Sequence, residues 1–269
     1  MGEDQGPGPR SRRRLGTVPG GAVIADLHLA PEGGARVDAF VAWLDGLLVP
    51  RLVILGDLFD SWIGAKQLRL PGSAPVMEAL GRLVARGCEL HVVPGNRDFL
   101  LGPDLERRTG GLVHAQGLVI EGPTCPTLLI HGDELCTLDL SYQRYKRVIQ
   151  SPLAKSLLPR LPLFLLRRIA GGLRSKSERA VPAKAPEEKS MQDGAALAEA
   201  AAADVQALVC GHAHRFQDRE LRADSEGAGG LRWLVLDGWG GSRDTLVEGA
   251  DGWQACPHDE LLERSTGPS

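Results

Sequence analysis

The chain has 269 residues, of which 43% are hydrophobic and 24% are charged, and its formal net charge at pH 7 is -3. These values are ordinary for a globular protein with a sizeable core, and the charge argues against a surface that coats nucleic acid. No apolar run approaches the length of a membrane span. The five cysteines lack CxxC spacing, which predicts a reduced intracellular compartment without a disulfide framework or a zinc knuckle.

The first twenty residues predict a disordered polar tail. The sequence SRRR at 11–14 is similar to part of a twin-arginine export signal, but residues 16–21 are punctuated by Gly and Pro, so an apolar region is missing. We therefore expect residues 1–20 to be a tail and residues 21–269 to form the domain.

Five short apolar runs each end in Asp, His or Asn, often beside a Gly. The central run, 52–55, leads into Gly56 and Asp57. The other four runs end at Asp26-Leu-His28, Asn96-Arg97-Asp98, His131-Gly132 and His212-Ala-His214. Open α/β sheets bind ligands at the carboxyl ends of their strands, and Gly lets the backbone approach a ligand closely. Five such endings in one chain predict a single site.

The elements between these runs predict the architecture. Helical spacing of apolar residues over 37–48 and over 76–85 alternates with the first three strand-like runs, which is typical of a parallel α/β arrangement. Closely spaced strands follow from about residue 112, and 231–236 and 245–247 are further strands. We predict mixed sheets with flanking helices in a single catalytic domain.

The segment from about 140 to 203 is far longer than a crossover between two strands requires. It contains an apolar stretch at 157–166 that is interrupted by Pro and flanked by Arg and Lys. Two interpretations are open: a helical hairpin packed on the body, which the residues alone favour, or an apolar face with a cationic rim for a lipid surface.

The candidate ligands are carboxylates, imidazoles and an amide, without a thiolate, which suits Mn²⁺, Fe²⁺ or Zn²⁺. They are Asp26, His28, Asp57, Asn96, His131, His212 and His214. Seven ligands are too many for one ion and about right for two that share the Asp57 carboxylate. Two such ions support in-line phosphoryl displacement by water, without a Ser or Cys nucleophile. We interpret His91, His114 and His258 as structural.

These motifs, in this order, resemble the signature of the calcineurin-like metallophosphoesterases. Longer strings, including ILGDLFDSWIG, GNRDFLLG and HGDELCT, resemble one family within that group, the UDP-2,3-diacylglucosamine pyrophosphatases of lipid A biosynthesis. The resemblance extends from about residue 21 to 247. It implies an α/β fold of four layers, with two mixed β-sheets sandwiched between helices and the segment 140–203 as a helical lid.

The resemblance also implies the metal ligands. One ion is expected on Asp26, His28, Asp57 and His214, and the other on Asp57, Asn96, His131 and His212. Both ions are expected to be Mn²⁺. The implied reaction is hydrolysis of UDP-2,3-diacylglucosamine at the α-phosphate to UMP and 2,3-diacylglucosamine 1-phosphate, at the cytoplasmic face of the inner membrane.

Further roles follow from the same resemblance. Asn96, Arg97 and His131 are implied as catalytic residues, and the insertion as a lid over the acyl chains. The implied substrate contacts are Arg97, Asp139, Tyr142, Ser177, Lys184 and His212. The chain departs from the family at Val181, where an Asn is usual. Two alternatives stay open: a two-metal hydrolase for another nucleotide diphosphate, phosphodiester or phosphoprotein, and a noncatalytic scaffold.

Overall fold

The structure is a computed structural model. It describes residues 12–162, 164–166, 168, 171–172, 187, 190–222 and 230–266. Within these residues the chain forms two six-stranded sheets that pack face to face, with helices on the outer faces. This arrangement confirms the predicted four-layer α/β fold.

The first sheet has the strand order β12-β11-β2-β3-β4-β5. Its strands are β2 (Ala22–Ile24), β3 (Arg51–Leu55), β4 (Glu89–Val93), β5 (Leu112–Val113), β11 (Thr245–Gly249) and β12 (Gly252–Cys256). Strands β2 to β5 run parallel, and β11 joins β2 in an antiparallel pair. Strands β2 and β3 are buried on both faces, which explains their continuous apolar sequence.

The second sheet has the strand order β1-β6-β7-β8-β10-β9. Its strands are β1 (Arg13–Gly16), β6 (Leu118–Glu121), β7 (Pro126–Leu129), β8 (Ala207–Cys210), β9 (Gln217–Leu221) and β10 (Leu231–Val235). Strands β7 and β8 are parallel neighbours, so the residues that follow both strands lie at one edge of this sheet.

Alternation along the strands divides the core into layers. In β3, Val53 and Leu55 face the second sheet, whereas Leu52 and Ile54 face helices. The helices over the first sheet are α1 (Ala35–Gly46), α2 (Ser73–Ala85) and α3 (Pro103–Thr109). The first two confirm the helices predicted from periodicity at 37–48 and 76–85.

The N-terminal prediction is wrong for residues 13–16. They form β1, an edge strand that pairs in parallel with β6. The guanidinium of Arg51 donates a hydrogen bond of 2.7 Å to the carbonyl of Gly16, and Arg14 pairs with Glu121. An exposed edge strand needs few apolar side chains, so its basic sequence resembled a solvated tail. Residues 1–11 lie outside the described residues.

The predicted insertion divides into two parts. Its first part contains α4 (Leu140–Ile149) and α5 (Pro152–Leu157), followed by a short 3-10 helix, Leu158–Arg160. Its last part, α6 (Asp193–Ala203), buries Ala196 and Ala200 against the second sheet. That helix is therefore the crossover between β7 and β8, and the end of the insertion at 203 is wrong.

A final helix, α7 (Asp259–Thr266), packs near α1. Among the residues that the structure describes, none of the helices is both long and apolar enough to span a bilayer.

Candidate metal centre

The strand ends of the two sheets meet at one site. Asp26 follows β2 and Asp57 follows β3, while Asn96 lies in the loop after β4. From the second sheet, His131 follows β7 and His212 follows β8. The backbone N–H of His28 donates to the carbonyl of Asp57 at 2.8 Å, which joins the first two loops directly.

The backbone at these positions is strained. Six non-glycine residues in the described part of the chain have a positive φ, and five of them are predicted ligands. The five are Asp26, His28, Asp57, His212 and His214. This region of φ is costly for residues with a Cβ, and it persists where the surroundings fix it, which is common at functional sites.

Two glycines allow the loops to approach each other. A Cβ at Gly95 would overlap the side chain and backbone N of Asp57, and a Cβ at Gly211 would overlap the Asp26 carboxylate. Both contacts involve buried groups that cannot move away cheaply. Gly95 and Gly211 are therefore required by packing around the carboxylates of Asp57 and Asp26, as the sequence pattern indicated.

The ligand atoms form two groups within 4.8 Å. The first contains Asp26, His28 and His214, and the second contains Asp26, Asp57 and His131. The Nε2 atoms of His28 and His214 are 3.0 Å apart. His131 Nε2 lies 3.0 Å from the Asn96 Oδ1.

The carboxylate of Asp57 lies between the imidazoles of His28 and His131. Its Oδ2 is 3.9 Å from His28 Nδ1, and its Oδ1 is 3.8 Å from His131 Nε2. The two oxygens therefore face different imidazoles, as a shared carboxylate requires. Asp26 also belongs to both groups, so the structure offers a second carboxylate for the shared position.

His212 completes the cluster. Its ring packs against that of His131 with a centroid distance of 5.1 Å, and its backbone N–H donates to Asp26 Oδ2 at 2.6 Å. The structure thus brings all seven predicted ligands together at one edge of the two sheets.

Two buried atoms indicate that this cluster fits a cation. Asp26 Oδ1 and His28 Nδ1 are buried and make no hydrogen bond. A buried polar atom without a partner is costly, and coordination of a cation is one way to satisfy an oxygen and a nitrogen lone pair. The mixture of carboxylate, imidazole and amide donors suits Mn²⁺ or a similar ion.

The electrostatics of the cluster lead to the same conclusion. Burial and the nearby carboxylates of Asp98 and Asp26 raise the pKa of Asp57 to about 7. Burial lowers the pKa of His28 to about 3 and that of His212 to about 4, so both imidazoles are neutral at pH 7. A neutral imidazole is the protonation state in which a histidine can ligate a divalent cation.

His131 differs from these two histidines. Burial opposes its charge, but the carboxylates of Asp57, Asp26 and Asp133 raise the pKa of His131 to about 9. Its Nδ1 lies 2.9 Å from the carbonyl oxygen of Leu55, to which it donates when protonated there. That hydrogen bond directs Nε2 toward Asn96 and Asp57, as a metal-ligating imidazole requires.

Arg97 lies at the accessible side of the cluster. Its backbone N–H donates to Asp57 Oδ1 at 2.9 Å. Its guanidinium lies 3.6 Å from Asp57 Oδ2 and 3.7 Å from Asp60 Oδ1. The side chain is 35% exposed, so it can reach an anion that approaches from solvent.

Asp98 had no role in the sequence prediction, although it belongs to the Gly-Asn-Arg-Asp motif. It is fully buried and accepts backbone N–H bonds from Gly95 at 2.7 Å, Leu58 at 2.8 Å and Asp57 at 3.3 Å. Its carboxylate therefore holds together the loops after β3 and β4. The Gly-Asn-Arg-Asp motif pointed to a role for Asp98, but the sequence could not show which backbone N–H groups its carboxylate binds.

Two of the residues predicted to contact the substrate form hydrogen bonds with other residues of the chain. The Asp139 carboxylate caps α4, because its Oδ1 accepts from the backbone N–H of Tyr142 at 3.0 Å and from the Ser141 hydroxyl at 2.8 Å. The Tyr142 hydroxyl donates to the carboxylate of Asp133. Ser177, Lys184 and Val181 lie outside the described residues.

Comparisons with known proteins show the family to which the chain belongs. The family model of the calcineurin-like phosphoesterases matches residues 22–216. A UDP-2,3-diacylglucosamine hydrolase of Pseudomonas putida (strain W619) is 35% identical over 239 residues, which cover 88% of this chain and 98% of that protein. The UDP-2,3-diacylglucosamine hydrolase of Edwardsiella ictaluri is 37% identical over 80% of this chain and 83% of that protein.

A third relative, the UDP-2,3-diacylglucosamine hydrolase of Salmonella typhimurium, is 36% identical over 80% of this chain and 89% of that protein. Among solved structures, Vps29 complexed with zinc from Entamoeba histolytica has a TM-score of 0.37 at 15% identity. That comparison covers 81% of this chain and 73% of Vps29, and its TM-score is too low to refine the fold.

Proposed function

Because the chain belongs to the calcineurin-like phosphoesterase family and, within it, to the UDP-2,3-diacylglucosamine hydrolases, we propose that it hydrolyses UDP-2,3-diacylglucosamine. Water attacks the α-phosphorus, the bond from that phosphorus to the bridging oxygen breaks, and the products are UMP and 2,3-diacylglucosamine 1-phosphate. The observation that carries this proposal is the cluster of seven ligand side chains with two buried, unsatisfied atoms.

We propose that the cluster holds two divalent ions, most readily Mn²⁺. Asp26, His28 and His214 would hold one ion, Asn96, His131 and His212 would help to hold the other, and Asp57 would contact both. Bound ions would supply Lewis-acid polarisation of the phosphoryl group and lower the pKa of the attacking water. Hydrogen bonds between the loops hold these side chains in place before substrate arrives, which reduces the cost of reorganisation.

Arg97 is the residue that we assign to the diphosphate. Its planar guanidinium can donate two parallel hydrogen bonds to phosphoryl oxygens and offset the negative charge that develops there. Asp57 and Asp60 lie within 4 Å of the guanidinium and orient it toward the cluster.

The first part of the insertion supports an acylated substrate. Of the eight exposed large hydrophobic residues in the described part of the chain, six lie in or just before α4, α5 and the segment after them. They are Leu138, Leu140, Val148, Leu153, Leu157 and Phe164. Exposed apolar side chains concentrated in one segment indicate a binding surface rather than part of the core. Acyl chains are apolar and would pack against such a surface.

The same surface supports our proposal that the enzyme works as a peripheral protein at the cytoplasmic face of the inner membrane. Arg144, Arg147, Arg160 and Arg168 are exposed in the same segment, and cations beside apolar groups favour an anionic lipid surface. Vesicles with phosphatidylglycerol should sediment with the protein, and vesicles of phosphatidylcholine alone should sediment with much less of it. Equal binding to both would contradict the electrostatic part of this proposal.

The reaction is tested by phosphorus-detected hydrolysis of UDP-2,3-diacylglucosamine in ¹⁸O-labelled water. We expect UMP to appear only after Mn²⁺ is returned to the metal-stripped protein, with the label in UMP. Label in the sugar phosphate would place the attack at the β-phosphorus. Metal-dependent cleavage of an aryl phosphodiester without release of UMP would assign the site to another substrate.

A further inference from the structure

Asp133 is a buried carboxylate that lies two residues after His131 and has no role in the proposed chemistry. Its side chain is 5% exposed. The ammonium of Lys146 lies 2.6 Å from Asp133 Oδ2, and the Tyr142 hydroxyl donates to the same oxygen. Both partners belong to α4, the first helix of the insertion.

A third residue of α4 contacts the same segment. The side-chain amide of Gln143 donates to the carbonyl of Cys136 at 3.0 Å and to that of Asp133 at 3.4 Å. Since Tyr142 and Lys146 are four residues apart, one polar face of the helix rests on residues 133–136. The apolar residues Leu140 and Val148 are exposed and do not anchor the helix.

The insertion contacts the body again after α5. The ammonium of Lys66 donates to the carbonyl of Leu161 at 2.7 Å and to that of Arg160 at 3.2 Å. Lys66 lies in a 3-10 helix, Ala65–Arg69, which follows β3 and the Asp57 loop. The segment from α4 to Leu161 therefore reaches from a strand end of the second sheet to a strand end of the first.

We propose that Asp133 is a positioning residue that couples the docking of α4 to the His131 side of the metal centre. Ligation of His131 fixes the Gly132-Asp133 segment and thereby the surface on which α4 rests. The negative charge of Asp133 also acts on the imidazoles of His131 and His212. The inference rests on the proposed function only in taking His131 to be a metal ligand.

The energetics of the pair make Lys146 the informative position. Removal of one partner leaves the other charge buried and uncompensated, whereas removal of both costs much less. Lys146→Met removes the ammonium and keeps most of the apolar stem. Arg107→Met is the control, because it removes an exposed cation from α3, outside the insertion.

The first test measures hydrogen exchange of the α4 amides in metal-stripped protein with and without Mn²⁺, in the absence of substrate. In the wild-type chain and in Arg107→Met, Mn²⁺ should slow this exchange by about 5-fold or more, the lower end of typical coupling between sites. In Lys146→Met, exchange should be fast with and without Mn²⁺. Failure of Mn²⁺ to slow exchange in the wild-type chain would overturn the inference.

The second test separates positioning from mere stability. Asp133→Asn should weaken Mn²⁺ binding, measured by titration calorimetry, by about 10-fold. Lys146→Met should raise KM for UDP-2,3-diacylglucosamine by about 10-fold with a smaller change in kcat, and Lys146→Arg should recover most of the loss. If either single variant fails to fold, the double variant Asp133→Asn/Lys146→Met should fold because neither charge is left alone.

Equal KM in Lys146→Met and Arg107→Met would contradict the coupling. These outcomes are distinct from failure of the proposed function. A wild-type chain that releases no UMP but shows Mn²⁺-dependent protection of α4 would refute the substrate and leave the positioning role intact.

Discussion

The metal centre and the insertion are built in opposite ways. Asp26, Asp57 and His131 are at most 2% exposed, and their loops are joined by backbone hydrogen bonds and close glycine contacts. Helix α4 has no buried residue, and Phe164 is 74% exposed. The first region obtains its geometry from the core of the fold. In the described part of the insertion, polar contacts hold α4 and the segment at 160–161, and Leu166 is buried.

This difference suggests a division of tasks. A rigid, strained cluster can hold ions and a phosphoryl group in a fixed arrangement, and an exposed apolar segment can adapt to acyl chains. Changes in the first region should therefore affect every phosphate substrate, and changes in the second should affect acylated substrates most.

The largest effect is expected from the shared carboxylate. Asp57→Asn keeps the shape of the side chain but removes its charge. Turnover of both UDP-2,3-diacylglucosamine and an aryl phosphodiester should fall by more than about 100-fold, because residues that only hydrogen-bond to a metal ligand already cost up to about that much when they are replaced. Circular dichroism should show an intact fold. Asp218→Asn, at an exposed ion pair with Arg232, is the control and should keep wild-type rates.

Asp98 tests whether the loops of the metal centre depend on one buried carboxylate. Asp98→Asn replaces an acceptor of three close backbone N–H bonds and should lower the free energy of unfolding by about 2 kcal/mol, measured by urea denaturation. Asp45→Asn, at an exposed pair with Arg82, should cost less than about 1 kcal/mol. An equal decrease in the free energy of unfolding in the two variants would mean that Asp98 does not hold these loops together.

The insertion is tested by polar substitutions at exposed sites. Phe164→Ser with Leu157→Ser should lower kcat/KM for UDP-2,3-diacylglucosamine by about 10-fold, since each apolar side chain contributes on the order of 1 kcal/mol or more when buried by a ligand. Hydrolysis of the aryl phosphodiester should change much less. Leu48→Ser, at an exposed leucine outside the insertion, should change neither rate.

The smallest effect is expected from a pair that lies outside both regions. Burial opposes the charge of His258, but its 2.6 Å contact with Asp244 and the nearby Asp259 raise the pKa of the imidazole above its ordinary value. A raised pKa in the folded state stabilises the fold fully below the unfolded value of about 6.5, and this stabilisation is lost as the pH rises through the folded value.

We therefore expect the free energy of unfolding of the wild-type chain, relative to that of His258→Gln, to fall between pH 6 and pH 9. Denaturant titrations of both proteins at these pH values measure the difference. A constant difference across this range would contradict the ion pair.

Much of the metal centre was predictable from the sequence because its signals are local. Each of these strands is followed by a carboxylate, amide or imidazole, often beside a Gly, and parallel strands bring such endings to one edge. Asp26, Asp57 and His131 therefore could be placed together before the structure was known. The helices at Ala35–Gly46 and Ser73–Ala85 were predictable for a similar reason, since their apolar periodicity is local.

The remaining features depend on long-range contacts that leave no local pattern. Strand β1 exists because β6 offers an edge and Arg51 binds the carbonyl of Gly16. The side chain of Tyr142 carries a substrate role in the family resemblance, yet in the structure it contacts Asp133. Helix α6 is rich in alanine, and only the packing of Ala196 and Ala200 shows that it belongs to the body.

The most direct test of the account compares two substrates in one protein under one condition. UMP release from UDP-2,3-diacylglucosamine and cleavage of an aryl phosphodiester are measured with metal-stripped chain and after addition of Mn²⁺. The account predicts that both reactions need Mn²⁺ and that the acylated substrate is hydrolysed with the much higher kcat/KM. Release of UMP without any divalent ion, or equal kcat/KM for the two substrates, would contradict it.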